Sequence, residues 1–428
     1  MKVLHLVRDV AIRIAILLVV GNNAFAAPQF ADAADDVARV YENIDARLGL
    51  MADVAAWKWA HQEPVVDTAR EHLVLERNLA RARELGLTSD SVQRVFEIQI
   101  QMARNMELEY FEEWRRSELP REQIVRDLNT DLRPALDNLG EAQLAALYWA
   151  HEALPEMAVN EAIAKTLRHI ASYRGVTAQD LAELRAALHD IRATPGKIDA
   201  LARLHVLRIG TTGDYPPFSE LHNGELRGLD IELAQALALQ LELTPRFVRT
   251  SWPTLMSDLE AGRFDLAISG ISNTPERAAR AEFSTAYHLD GKTAIARCED
   301  RARFGNLDDI DKSQVRVIVN PGGTNEQFVH EHIKHAQVIV FPDNRTVFDE
   351  IVAGRADVMI TDGVEVALQS HRHKELCRTM TGNLTNTAKA ILLPRGSPLA
   401  KQVDQWLQSE VARGGVQEML QRALTVGD

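Results

Sequence analysis

The rhythm of apolar positions changes near residue 195. From 32 to 192 they recur every three or four residues in stretches rich in Ala, Leu, Arg and Glu, the spacing that turns one helix face towards a core. This predicts helices over 32–60, 67–86, 88–117, 127–153, 156–173 and 177–192. "TSDS" (88–91) offers caps to the third, and "TPG" (194–196) ends the region. After 205, short β-branched runs alternate with helical stretches: "VLRIGTT", "RFVRT", "DLAISG", "VRVIVN", "QVIVF" and "DVMITD". The expected fold is therefore an all-α N-terminal domain followed by an α/β domain.

The α/β part repeats itself. "TLMSDLEAGRFDLAIS" (254–269) and "TVFDEIVAGRADVMIT" (346–361) align Thr254 with Thr346, Gly262 with Gly354, Arg263 with Arg355 and Asp265 with Asp357. Each copy reads as a helix, a glycine stop and a strand. Two such copies far apart imply two similar lobes, and a cleft between lobes is where small ligands bind.

Composition narrows the class. The chain has 428 residues, enough for two or three domains, and a net charge of −13, which argues against non-specific nucleic-acid binding. Lys2, Arg8 and Arg13 precede the apolar run "IAILLVV" (14–20), and "AFA" (24–26) follows as a small-x-small site. This reads as a cleaved signal peptide over 1–26, with an uncleaved anchor as the rival, and predicts a periplasmic or secreted protein. Cys298 and Cys377 are the two cysteines. An oxidising compartment favours a disulfide between them; two buried thiols are the alternative.

The expected organisation is a helical domain over 27–193, a linker over 194–204 and a two-lobed domain over 205–428. The first lobe takes about 205–298 and 393–428, the second about 299–392. The histidines of "HEH" (330–332), His335 and "HRH" (371–373) read as solvated surface: His-x-His lacks the helical i, i+4 spacing, and no cysteine or carboxylate cluster completes a zinc site. No phosphate loop or dinucleotide fingerprint is present. Neither metal nor cofactor is expected.

One loop poses a chemical question. In "IVNPGGTNEQF" (318–328) a strand runs into Pro321, Gly322 and Gly323 and then a helix, with Thr324 or Asn325 available as a cap. A helix start of this kind favours an anion, yet Glu326 stands at its mouth. By position alone Glu326 is equally a stabilising first-turn carboxylate.

Resemblance supplies a reason. "TTGDYPPFS", "TSWPTLM", "SGIS", "DGKT", "IVNPGGTNE", "FPDN" and "VDQWL" resemble, in order and spacing, segments of the periplasmic cyclohexadienyl dehydratases, which have the type II periplasmic solute-binding fold. The resemblance spans about 200–425. It implies that prephenate loses hydroxyl and carboxylate together and becomes phenylpyruvate, with arogenate as a further candidate substrate. Hydroxide leaves poorly, so Glu326 would be the proton donor. Arg277 would grip the side-chain carboxylate through paired hydrogen bonds. Asp214, Trp252, Ser269, Lys292 and Thr324 would line the prephenate site. The ring carboxylate must leave as CO₂, so a tight cation on it would hold back the reaction.

The helical part has its own resemblance. "DARLGLMADVAAWKWAHQEPVVDTAR" (45–70) and "VQRVFEIQIQMARNMELEYFEEW" (92–114) are similar to the secreted, gamma-class chorismate mutases. It implies that Arg47, Arg70 and Arg133 hold the two carboxylates of chorismate. Lys58 and Glu107 would donate to its ether oxygen, and Asp67 would orient the neighbouring cations. Ala103 stands where relatives often carry a hydroxyl, Val74 where glutamine or glutamate is usual, and the cysteine pair of some relatives is absent. Secreted mutases of this type often dimerise, so a homo-oligomer is among the expectations. Taken together, the chain reads as a bifunctional enzyme that makes prephenate and consumes it. The rival is a mutase fused to a non-catalytic solute-binding or sensor domain.

Overall fold

The computed structural model describes residues 28–117, 125–156, 158–193 and 203–425. The targeting segment 1–26 and all but the last two residues of the linker lie outside these. By contacts the chain divides into two compact units, one Ala31–Leu204, the other His205–Asp428 with the stretch that ends at Phe30. The helical unit thus begins after residue 30 rather than at 27. The cause is long-range pairing: Pro28 O accepts the Leu226 N–H at 2.6 Å, and Phe30 bridges Phe247 on an edge strand beneath the Arg249 guanidinium.

The helical unit holds seven α-helices among its described residues: α1 Ala33–Gly49, α2 Met51–Ala60, α3 Thr68–Glu84, α4 Ser89–Ser117, α5 Arg133–Ala150, α6 Glu161–Ala171 and α7 Ala178–His189. Their apolar stripes close one core. α1 contributes Val37, Val40, Tyr41, Ile44 and Leu48; α4 contributes Val92, Val95, Phe96, Met102 and Met106. Two expectations change. The helix expected over 32–60 is two, meeting at Gly49 and Leu50, a step at which helices kink when a side chain is missing. Tyr173 packs there, so close that a Cβ on Gly49 would lie 3.1 Å from its hydroxyl. The helix expected from 156 starts only at Glu161, because the Asn160 side chain accepts the Ile163 N–H at 2.9 Å and fixes the first turn.

Ten strands of the second unit build two sheets: β1 Val206–Thr211, β2 Thr244–Arg249, β3 Leu266–Ala267, β4 Glu282–Phe283, β5 Lys292–Arg297, β6 Arg316–Val319, β7 Gln337–Val340, β8 Val358–Asp362, β9 Leu376–Arg378 and β10 Leu392–Leu393. The orders are β2-β1-β3-β10-β4 and β7-β6-β8-β5-β9. In each, three neighbouring strands are parallel and the remaining pairings antiparallel. The unit is α/β with two lobes, as expected.

The second lobe begins earlier than 299. β8 pairs along its whole length with β5, from Lys292 opposite Asp362 to Ala296 opposite Val358, so the crossover precedes Lys292. The sequence repeat turns out to be structural. Asp265 accepts from the Arg208 backbone and guanidinium at the start of β1, and Asp357 does the same for Arg316 at the start of β6. Gly262 and Gly354 each take a positive φ to stop the preceding helix. Cys298 and Cys377 are joined by a disulfide that ties the end of β5 to β9.

Candidate active sites

The first site lies in the helical unit, in a cavity of about 140 Å³. Arg47 enters from α1, Lys58 from α2, Arg70 from α3, Glu107 from α4 and Arg133 from the start of α5; Asp67 caps α3 at the rim. All six residues singled out in the sequence line this one cavity. Lys58 Nζ lies 2.6 Å from Glu107 Oε2 and also donates to Val65 O at 2.7 Å. Burial raises the Glu107 carboxyl above the usual range, against the lowering pull of Lys58. A carboxyl so placed can carry a proton beside an ammonium group, giving two donors aimed at one point.

Asp67 acts through the backbone: its Oδ1 accepts the Arg70 N–H at 3.0 Å, which fixes the first turn of α3 and the origin of the Arg70 side chain. Arg47 carries no carboxylate within ion-pair distance among the described residues, and burial lowers its pKa to about 10. Arg70 has one distant partner, Asp137 at 3.9 Å, while Arg77 binds that carboxylate closely. The cavity therefore offers cations that the protein itself leaves under-neutralised, which suits an anionic ligand. Arg77, Arg104, Asp137 and Gln99 also line it and were not singled out in the sequence. Gln99, Ala103 and Glu107 follow one another at four-residue steps along α4, so the first was findable by helical phase. Arg104 and Asp137 were hidden by their resemblance to ordinary surface charges.

The second site lies between the lobes of the α/β unit. An inner pocket is lined by Tyr215, Trp252, Ser272, Arg277, Thr324, Asp362 and Lys389, with Asn320, Asn325 and Asn344. A wider outer pocket shares Trp252, Arg277 and Thr324 and adds Glu326 and His330. Arg277 is buried, donates to Ser272 O at 3.2 Å, and has no carboxylate partner within 4 Å among the described residues. Burial lowers its pKa, against the pull of Glu276 and Asp362. An arginine held this way is ready for a ligand carboxylate.

Glu326 sits in the first turn of the helix Thr324–His332. Gly323 is the N-cap and supplies no side chain, so neither Thr324 nor Asn325 caps the helix. Glu326 Oε2 instead accepts the Gly322 N–H at 2.7 Å, and Oε1 lies 3.6 Å from His330 Nε2. Gly322 needs its glycine, for its φ is +76° and a Cβ would meet Pro253 at 2.6 Å.

Three further residues sit differently from expectation. Lys292 does not line either pocket. Its Nζ gives all three hydrogens to the protein, to Thr324 Oγ1 at 3.0 Å, Asp362 Oδ1 at 2.8 Å and Asn325 Oδ1. Ser269 is fully buried behind the wall, bonded to Thr212 and Ser219. Asp214 lies beside the pocket and holds Trp252, whose Nε1 donates to it at 3.2 Å. Burial raises the Asp214 pKa against that bond and one from Thr212.

Lys389 takes the place that Lys292 was expected to fill. It is 1% exposed, lines the inner pocket, and spends two hydrogens on Ser272 Oγ at 3.0 Å and Asp362 Oδ2 at 2.6 Å. Asp362 also accepts from Tyr215, whose phenol reaches it across the cleft. Burial would raise Asp362, but Lys292 and Lys389 outweigh it and hold the carboxylate ionised. Behind it, burial and the Asp362 charge push Glu365 up to about 8. Asp362 ends β8, and ligands gather at the carboxyl ends of parallel strands, so topology could have flagged it. Lys389 stands alone in "TAKA", with no partner at helical or strand spacing to mark it.

Two family descriptions match the chain. Residues 207–425 match the bacterial extracellular solute-binding proteins, family 3, and residues 37–108 match chorismate mutase type II. A cyclohexadienyl dehydratase of Pseudomonas aeruginosa is 44% identical over 236 residues, 55% of this chain and 88% of that protein. The L-cystine-binding protein TcyJ of Escherichia coli is 28% identical over 172 residues, 40% of this chain and 64% of that protein. The fold is also that of an amino acid ABC transporter substrate-binding protein, AbpA, from Streptococcus pneumoniae, solved with L-arginine bound. There the TM-score is 0.51 at 22% identity, covering 54% of this chain and 99% of that one.

Proposed function

The chain belongs, through residues 207–425, to the family-3 bacterial extracellular solute-binding proteins and, within its reach, to the cyclohexadienyl dehydratases; from that premise we propose a bifunctional enzyme that converts chorismate to prephenate and prephenate to phenylpyruvate. The observation that carries the first activity is the convergence of Arg47, Lys58, Arg70, Glu107 and Arg133 on one cavity. The arginines hold the two carboxylates of chorismate in its compact conformer. As the ether C–O bond breaks and the new C–C bond forms, Lys58 and protonated Glu107 stabilise charge on the ether oxygen. The rearrangement is pericyclic and needs no nucleophile.

In the second site Arg277 and Thr324 take the side-chain carboxylate of prephenate, and Trp252 covers the ring. The bond from ring carbon to carboxylate breaks, and its electrons complete the aromatic ring. The hydroxyl departs with a proton from Glu326, leaving water, CO₂ and phenylpyruvate. Asp362 and Lys389 form the pocket floor, and Lys292 supports Asp362 from behind.

The protein acts in the periplasm, delivered by the segment 1–26 and then freed from it. No helix among the described residues is long and apolar enough to cross a membrane. Adding prephenate to the mature protein and following phenylpyruvate tests the dehydratase reading. Tight binding of an amino acid or aromatic acid without turnover would instead favour the solute-binding alternative.

Arogenate carries an ammonium group where prephenate has a carbonyl. Asp362, the one carboxylate among the described residues that line the inner pocket, is committed to two lysines and a phenol. A substrate ammonium buried there lacks a free counter-charge. With both substrates supplied together, kcat/KM for prephenate should exceed that for arogenate by about tenfold or more. Equal use of the two would show that the ammonium reaches another acceptor.

A further inference from the structure

Gln99 is 1% exposed and lines the mutase cavity. Its amide Nε2 donates to Val95 O, one turn back on α4, at 3.2 Å. That bond sets the amide's orientation: turned over, Oε1 would face the carbonyl oxygen with no hydrogen between them. Oε1 is therefore the atom turned away from Val95 O; it is buried and has no hydrogen-bond partner. A buried carbonyl oxygen left unpaired costs free energy unless a ligand satisfies it.

The surroundings decide which ligand group that is. One turn on, Ala103 offers no polar atom, and across the cavity Val74 offers none either. The other polar groups are Asn78, whose amide donates to Val74 O, four carboxylates, Asp67, Glu71, Glu107 and Asp137, bonded to the Arg70 N–H, Arg104, Lys58 and Arg77, and six cations, which suit the carboxylates and ether oxygen of chorismate. A neutral acceptor is of no use to those groups. The chorismate dianion has a single hydrogen-bond donor, its ring hydroxyl.

We propose that Gln99 Oε1 accepts the hydrogen bond of the ring hydroxyl and so sets the orientation of the ring above the Lys58–Glu107 pair. The proposal rests on the mutase reading. It gives the cavity a specificity for the hydroxylated substrate that the cations alone do not provide.

The test pairs a protein change with a substrate change. Gln99→Met keeps length and volume but lacks the acceptor. On chorismate its kcat/KM should fall roughly tenfold, mainly through KM, the size expected of one neutral hydrogen bond to a buried group. On the analogue that lacks the ring hydroxyl, the variant and the parent should agree within about twofold. That second arm also shows that the variant's site is folded. Equal losses on both substrates would mean that Gln99 only packs, and an unchanged rate on chorismate would mean that the hydroxyl goes elsewhere; either overturns the inference while the mutase reading stands. A parent chain inert towards chorismate would remove the parent reading and the inference with it.

Discussion

Lys58→Ala should lower chorismate rearrangement about 10³-fold while prephenate dehydration stays within about twofold of the parent. Lys58 Nζ is the ammonium beside Glu107 Oε2, and the pair is shielded from solvent, where a donor to developing negative charge has its greatest effect. Its removal also leaves Glu107 without the one cation that offsets its burial. The two sites belong to separate compact units with their own cores, so the dehydratase has no reason to change. Loss of both activities in a folded variant would contradict independent sites. A pH profile adds a second reading. Glu107 donates only while protonated, and its pKa is raised, so mutase activity should be intact below that pKa and decline as pH rises through it. Glu107→Gln donates at every pH and should lack that decline.

Glu326→Gln should cost the dehydratase roughly 10²–10⁴ in kcat with KM little changed. The amide keeps the length of the side chain and can still accept the Gly322 N–H. It loses the proton that a carboxyl gives to the departing hydroxyl. Binding of prephenate is expected to hold, because Arg277 and Thr324 remain in place. Chorismate mutase activity of the same preparation controls for folding. A glutamine variant within a few-fold of the parent would leave Glu326 as a helix-start carboxylate and move the acid elsewhere in the cleft.

Much of this was legible in the sequence. Helical periodicity located α3 and α4 closely, because each must bury one continuous stripe. The six mutase residues fell into one cavity because a bundle directs side chains of fixed phase inward. The cleft was harder to read. Its pocket is built from strand ends and loops far apart in the chain, and pairing decides which of two lysines faces ligand. β5 lies against β8 in a register that turns Lys292 into Asp362, Thr324 and Asn325, leaving Lys389 at the surface of the pocket. No local pattern marks that choice. The short N-terminal stretch ending at Phe30 was assigned to the wrong unit for a similar reason, since its partner, Phe247, is more than two hundred residues away.

The most direct measurement supplies chorismate alone to the purified protein and follows both prephenate and phenylpyruvate over time, with no other enzyme present. The account predicts that chorismate is consumed and that phenylpyruvate appears in equal amount, with prephenate passing through as an intermediate. In Lys58→Ala both products should form from chorismate about 10³-fold more slowly, while added prephenate is still dehydrated. In Glu326→Gln prephenate should accumulate. If the parent protein itself stops at prephenate, stable against its own α/β unit, then that unit is a binding domain and the central claim of two consecutive activities in one chain is contradicted.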